Sequence, residues 1–495
     1  MACDFAGLKP DASTVDCDYN ADCRMNPLVL PHEKYEEIFQ RIMRLSLEYL
    51  AGIPERPSFP DVTGGQVEAW FSRELPEQGV GDAALDELTK VPDGCRPNSP
   101  RFFGYVFGSG EPIAIVADLL ASALNQNTTA WRSAPSAVTI EHIVVGWLAQ
   151  AIGCRGFSGS LTGGGSPANL MALAMAREAR LPANEHGARA GTVYASDQVH
   201  MSIAKAVALL GIGRDNLRLI PCDGEFRIRM EALRDAIARD VRSGLTPIAI
   251  VGSAGTVATG SIDPLAQLGQ IAREHHAWFH IDGAYGALAS IAQPEKFAGL
   301  NAADSVSLDP HKWLYQPVDC GCLLYRDAAT ARRAFAHTGD YAKSLLEDPV
   351  ESFEFFEESM ELSRRFRALK LWLSLRYHGL EKFREAIRND LENARYLAEL
   401  IAQADELELL APVPLSAVCF RYVANRPVTE IDALNRAILQ RIVRRGRVFL
   451  SNATLNGNFA LRACFVNHRT VRADVVSVVD EVLAAGAELE SGAES

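Results

Sequence analysis

Ser305-Val-Ser-Leu-Asp-Pro-His-Lys-Trp-Leu314 is the stretch on which the reading of this chain turns. A short β-type run leads into Asp309 and Pro310, and Lys312 follows between a histidine and a tryptophan. An ammonium group prefers water, so a lysine set among His311, Trp313 and Leu314 is expected to be partly desolvated. Desolvation lowers a lysine pKa and makes the neutral, nucleophilic amine accessible. A Schiff-base lysine needs that property.

Two other segments supply complementary chemistry. Upstream, Trp278-Phe-His-Ile-Asp-Gly-Ala-Tyr285 reads as a buried strand that delivers Asp282 at its C-terminal end. Leu161-Thr-Gly-Gly-Gly-Ser-Pro-Ala-Asn-Leu170 opens a helical stretch, Ala168 to Ala179. Consecutive glycines admit an anion close to the backbone, Ser166 adds a hydroxyl, and Pro167 suits a first helical turn whose free N–H groups face a phosphate. No Walker lysine follows, and the spacing is not a dinucleotide fingerprint. Alone, the loop divides evenly between an anion cradle and an ordinary tight turn. Beside Lys312 and Asp282 it indicates a phosphate monoester. An imine-forming lysine, a carboxylate that keeps a pyridinium nitrogen protonated and a phosphate cradle make up the apparatus of pyridoxal 5'-phosphate (PLP) chemistry.

Composition sets the frame. At 495 residues the chain has material for two to four domains. A net charge of −13 argues against nucleic-acid and anionic-membrane partners. The ten cysteines include no CxxC pair, and Cys320 and Cys322 lie in an apolar run where buried free thiols are usual. A cytoplasmic protein is expected, since the N-terminus lacks the succession of a signal peptide. No apolar run reaches membrane-span length; the best candidate, Pro112 to Leu124, carries Asp118. His275 and His276 have no metal-ligand spacing with any partner, so no metal is implied.

Pattern separates three regions, 1–97, 98–376 and 377–495. In the first, Met1 to about Arg24 is polar and aperiodic, and a helix is predicted from about His32 to Leu50, with Tyr35, Ile38, Phe39, Ile42 and Leu45 at helical spacing. In the second, strands at Gly191–Ala195, Leu217–Ile220, Pro247–Gly252, the run before Asp282 and Gly321–Tyr325 alternate with helical patterns. That alternation predicts an α/β domain with a mainly parallel sheet covered on both faces. The third reads as a small α+β domain, with strands near Ala417–Val423, Arg447–Ser451 and Phe459–Phe465 and helices near Glu430–Arg445 and Thr470–Ala485.

From about Pro100 onward the chain resembles the group II PLP-dependent decarboxylases, the family of aromatic amino acid, glutamate and diaminobutyrate decarboxylases. The resemblance rests on a collinear series: Pro100-Arg-Phe-Phe-Gly-Tyr105, Gly163-Gly-Gly-Ser-Pro-Ala-Asn169, Ser196-Asp-Gln-Val-His200, Ala254-Gly-Thr256, Asp282-Gly-Ala284, Asp309-Pro-His-Lys-Trp313 and Leu362-Ser-Arg-Arg-Phe-Arg367. It implies PLP-dependent fold type I and a homodimer with a shared active site, the 1–97 region acting as a dimerisation segment. By carry-over, Lys312 forms the Schiff base, Asp282 pairs with the ring nitrogen and His200 stacks on the ring. Gly164, Gly165, Ser166 and His311 hold the phosphate, while Thr256 and Ala284 flank the cofactor. Phe103, Tyr105, Thr129 and Trp131 become candidates for substrate contact, in surroundings made polar by Asn125, Gln126, Asn127, Thr128 and Arg132. A polar or bulky conjugated amino acid is therefore as open as an aromatic one.

Taken singly, these residues have plainer readings. His200 suits a helix start, Asp282 a turn before glycine, Thr256 a structural hydroxyl, and Arg364, Arg365 and Arg367 a solvated face. The chain also departs from the family pattern. In aromatic amino acid decarboxylases a loop tyrosine, a fixed step before the Arg-Arg-Phe-Arg segment, returns a proton to Cα. Counting back without gaps from Arg364 lands on Phe355, which has no hydroxyl. The acidic loop from about His337 to Met360 also holds Tyr341, at a family position other than the donor's. The resemblance implies decarboxylation of an L-amino acid through Lys312. Oxidative decarboxylation–deamination to an aldehyde, or β-elimination, is the alternative if Phe355 is the quenching residue. A fold-type I aminotransferase and a PLP-free binding protein are the remaining competitors.

Overall fold

The computed structural model describes residues 28–71, 75–337, 348–423 and 428–491. The expectations for Met1 to Arg24 and for Tyr341 lie outside them. The chain divides between Gly52 and Ile53 into two compact units. In the first, the helix His32–Gly52 buries none of its residues, and Tyr35 and Phe39 stack on one face at 5.4 Å.

The second unit holds two sheets. Seven strands form the larger: β1 (Ser158–Thr162), β2 (Gly191–Ser196), β3 (Leu217–Ile220), β4 (Thr246–Ser253), β5 (Trp278–Asp282), β6 (Ser305–Leu308) and β7 (Gly321–Tyr325). Their order is β1-β7-β6-β5-β4-β2-β3, and all run the same way except β7, which is antiparallel to both neighbours. β2, β4, β5, β6 and β7 are buried almost throughout, as expected of strands covered on both faces. The smaller sheet is antiparallel, with β8 (Leu407–Leu409), β9 (Ala417–Tyr422), β10 (Ser451–Leu455) and β11 (Asn458–Cys464) in the order β10-β11-β9-β8. Val428–Arg445 and Arg472–Ser491 are helices that supply its core with Leu434, Ile438, Val475 and Val478. This is the mixed α/β architecture read from the sequence, with a mainly parallel large sheet. The expected strand at Arg447–Ser451 instead begins at Ser451, because Phe449 leaves the sheet to bridge Phe102.

The parallel strands set the position of the site. Ligands of such sheets bind beyond the carboxyl ends of the strands. Here β1 ends at the glycine loop, β2 just before His200, β4 at Ser253, β5 at Asp282 and β6 just before Asp309. The 376/377 boundary falls inside one long helix, Ala368–Ala402, three residues before Gly379, whose φ of +74° breaks the helical geometry.

Candidate active site

Five strand ends converge on a cavity of about 330 Å³. Gly164, Gly165, Ser166, His200, Thr256, Asp282, Ala284, His311 and Lys312 all line it, the glycines standing against Ala284 and His311. Glycine is required at these two positions. Gly164 has φ of +139°, and a Cβ on Gly165 would stand 2.6 Å from the Ala284 Cβ. The helix Gly165–Arg180 starts there, so its first N–H groups open into the cavity.

Asp282 is 7% exposed and surrounded by donors. Its Oδ1 accepts from the Ala284 N–H and the Ser307 hydroxyl, each at 3.2 Å, and its Oδ2 from the Asn169 amide at 3.0 Å.

Lys312 sits in the short helix Pro310–Trp313 with its Nζ 3.0 Å from Asp309 Oδ2. The lysine side chain is 15% exposed, so the amine is partly desolvated as expected, though by other neighbours. Trp313 and Leu314, credited above with desolvating the amine, are themselves buried in the hydrophobic core, Trp313 stacked on Tyr285. The Asp309 carboxylate stands beside the amine instead, and its Oδ1 is buried without a partner.

His311 Nδ1 donates to the Cys320 carbonyl at 2.8 Å, leaving Nε2 toward the cavity. Burial, helped by the Lys312 charge, lowers the His311 pKa against the pull of Asp309. His200 caps the helix Met201–Leu209 by accepting the Ser202 N–H, and burial lowers its pKa as well. Both rings are therefore neutral near pH 7. The Thr256 hydroxyl accepts the Ser261 N–H at 3.1 Å and meets Thr259 at 3.0 Å, so it shapes the loop that borders the cavity.

Other sequence candidates lie elsewhere. Phe103 is 1% exposed and packs on Phe465 at 4.9 Å in the core of the smaller sheet. Tyr105 is 58% exposed, beside Phe449. Trp131 and Thr129 run alongside the 353–356 segment, the Trp131 N–H donating to Phe353 O at 3.0 Å and the Phe356 N–H to Thr129 O at 3.3 Å. Phe355 is fully buried, 5.0 Å from the His142 ring, with the Arg364 guanidinium 4.2 Å above its own. None of these five side chains lines the cavity of its own chain. For Phe355 the assignment as the quenching residue is corrected: its ring has no exposed surface and does not reach this cleft.

Arg364, for which a solvated face was the plainer reading, is 3% exposed and ion-paired with the fully buried Glu141. It also donates to Leu161 O at 3.0 Å, just before the glycine loop, and to Thr128 O at 2.9 Å. The Asn127 side chain accepts the Arg364 N–H at 2.9 Å, and the Thr128 hydroxyl donates to the Arg364 and Arg365 carbonyls. Two of the polar groups assigned above to substrate are thus spent on holding the chain. Asn169, Asp309 and Ser307 were missed as site residues, although all three stand inside quoted stretches.

The cavity suits a flat ring carrying a phosphate. The glycine loop and helix N-terminus, with Ser166, offer neutral N–H and O–H donors, beside the His311 ring; Asp282 and Lys312 add an acceptor and an amine to the same lining.

Comparison with known proteins agrees. Residues 85–423 match the pyridoxal-dependent decarboxylase conserved domain. An aromatic-L-amino-acid decarboxylase of Bacillus atrophaeus is 30% identical over 476 residues, covering 93% of this chain and 97% of that protein. A 4-hydroxyphenylacetaldehyde synthase of Rhodiola rosea is 32% identical over 435 residues, covering 84% and 87%. The crystal structure of Oryza sativa TDC with PLP and tryptamine superposes with a TM-score of 0.88 at 27% identity, over 94% of this chain and 99% of that one. With its cofactor cradle, its lysine and carboxylate and two thirds of its length accounted for in this way, the chain belongs to the pyridoxal-dependent decarboxylase family, on PLP-dependent fold type I.

Proposed function

We propose that the protein removes the α-carboxylate of an aromatic L-amino acid as CO₂ and returns the amine, acting as a cytoplasmic homodimer in which each subunit completes the other's cleft. The observation that carries the reading is the convergence of Lys312 and Asp282 on one cavity beside a glycine cradle. Bound PLP supplies an electron sink conjugated to the substrate nitrogen, so that a bond at Cα breaks heterolytically. Lys312 would hold the cofactor through its amine. Asp282, which accepts three hydrogen bonds, would hold the pyridine nitrogen. The cradle of Gly164, Gly165 and Ser166 fixes the phosphate end, so that the orientation of the substrate decides which bond breaks.

The aromatic preference is supported by Tyr105 and Trp131 and by the engagement of the Asn127 and Thr128 side chains with Arg364 and Arg365. The partner is supported by the helix Pro112–Leu124. It buries Ala114, Ala117 and Ala121 and turns Val116, Leu119, Leu120 and Leu124 outward, the reverse of a helix that serves its own core. The apolar face of His32–Gly52 supports it too, as the free state of the seven described cysteines supports a reducing compartment.

Aldehyde synthases among the relatives keep a second product in view. In that outcome the amino acid, O₂ and water would give aldehyde, CO₂, ammonia and hydrogen peroxide. With Phe355 buried, the residue that favoured this outcome no longer supports it. Incubation with aromatic and polar amino acids under air and under argon tests both, scoring CO₂, amine, aldehyde and peroxide. Amine and CO₂ at equal rates in both atmospheres is the expected result; peroxide with aldehyde, lost under argon, would establish the second product.

A further inference from the structure

Asn169, in the first turns of the helix Gly165–Arg180, joins three groups through one buried amide. Its Nδ2 lies 3.0 Å from Asp282 Oδ2 and 2.9 Å from Ser202 Oγ, and its Oδ1 lies 2.9 Å from His280 Nε2. The direction of each bond follows from what each atom is able to do. An ionised carboxylate only accepts, so the amide N–H faces Asp282. An amide oxygen only accepts, so His280 carries its hydrogen on Nε2. His280 is completely buried, and that burial takes its pKa down to about 4, so it is neutral with a single N–H. Its Nδ1 must then accept from the Ser305 hydroxyl at 2.9 Å, which in turn accepts the Trp278 indole N–H at 2.8 Å. The chain of donors runs one way, from Trp278 through Ser305, His280 and Asn169 to Asp282.

The second amide hydrogen sets a branch. Ser202 Oγ receives it and has its own proton left for His200 Nδ1 at 2.8 Å. The Ser202 backbone N–H points at the same nitrogen at 3.3 Å. His200 Nδ1 is therefore an acceptor, and the ring hydrogen belongs on Nε2, the nitrogen left for the cavity that His200 lines.

We propose that Asn169 is a positioning residue that orients the Asp282 carboxylate and, through Ser202, fixes the tautomer of His200, so that His200 offers an N–H donor at Nε2 to the reacting molecule. This rests on the reading of Asp282 and His200 as cofactor-facing groups. A plain packing role for Asn169 would leave the tautomer alone, so the two are separable.

The test is ¹⁵N NMR of the holoenzyme with ring-labelled histidine, the His200 signals assigned by their loss in His200→Asn. The wild type should show Nδ1 bare and Nε2 protonated at pH 7. Asn169→Ala and Ser202→Ala should mix the tautomers and lower kcat roughly 10- to 100-fold, by analogy with outer-shell ligand partners. Ser202→Thr, which keeps the hydroxyl, should restore the single tautomer. Protonated Nδ1 in the wild type overturns the inference whether or not the variants fold, and so does an unchanged tautomer in both alanine variants. Borohydride reduction followed by peptide mass spectrometry separates this from the underlying reading. Cofactor fixed on Lys312 with the wrong tautomer sinks this inference alone; no cofactor on Lys312 sinks both.

Discussion

Lys312 and Phe355 show how differently single residues answer to sequence reasoning. Lys312 stands where the chain leaves a strand and meets Asp309 within one helical turn, so local order alone delivers it to the cavity. Lys312→Ala should abolish CO₂ release and the visible cofactor band together; normal turnover by that variant would remove the basis of the site. Phe355 was reached by counting, and counting carries no information about burial. With its ring between His142 and Arg364, Phe355→Tyr should leave the amine-to-aldehyde ratio unchanged. The added hydroxyl should cost about 1–3 kcal/mol, read as a lower unfolding midpoint. A shift of product toward amine would restore Phe355 as the quenching position. Tyr341→Phe is the companion experiment, and aldehyde appearing only in that variant would place the acid there. The glycine loop, Asp282 and His200 were legible because strand ends with unusual neighbours carry their own signal. Asn169 was not, because its role exists only once four separate segments meet.

At the scale of elements, the sequence was informative where a segment's partners are local. β2 to β7 follow from short apolar runs, whereas β1, Ser-Gly-Ser-Leu-Thr, has almost no hydrophobic signature and is made a strand by β7 and the helix Pro135–Ala151. Phe103 likewise belongs to a core whose other members lie beyond residue 390. The Arg364–Glu141 pair ties three elements: the strand before the glycine loop, the 127–131 segment and the 353–358 turn. Removing one member leaves the other charge buried, so Glu141→Gln should cost about 3–5 kcal/mol. Pairing it with Arg364→Met should cost less than the sum of the two single changes. Additive losses in thermal or denaturant unfolding would show that the pair does not act as a unit. The outward apolar face of Pro112–Leu124 makes a different prediction. Leu119→Glu with Leu120→Glu should weaken self-association at least roughly tenfold in sedimentation and lower turnover in parallel. An active, monodisperse monomer of the unaltered protein would refute the shared cleft.

For the whole molecule, the helix Ala368–Ala402 passes from the core of the large sheet, through Leu371, Phe383 and Ile387, into that of the small one, through Ala394 and Leu397. Asp390 lies at the passage, completely buried, accepting the Tyr315 hydroxyl at 2.8 Å. Burial outweighs that bond and a backbone donor at Asn467, and pushes the carboxyl from 3.8 up to about 7. Between those two pH values the folded chain holds a proton that the unfolded chain has released. The stability Asp390 contributes is therefore full below about pH 4 and lost as pH rises through about 7. His280 and His468, each lowered to about 4 by burial, act in the opposite sense, costing stability as pH falls below 6.5. Both are common to the wild type and to Asp390→Asn, so they cancel in a comparison. Asparagine keeps the shape, still accepts from Tyr315 and stays neutral at every pH. The stability of Asp390→Asn relative to wild type should accordingly climb between pH 4 and 7, by up to about 1.4 kcal/mol per unit, and level off above. Unfolding midpoints across that range measure it. A constant difference would mean that Asp390 ionises as readily inside the fold as outside it, and that the passage between the two cores is open to water.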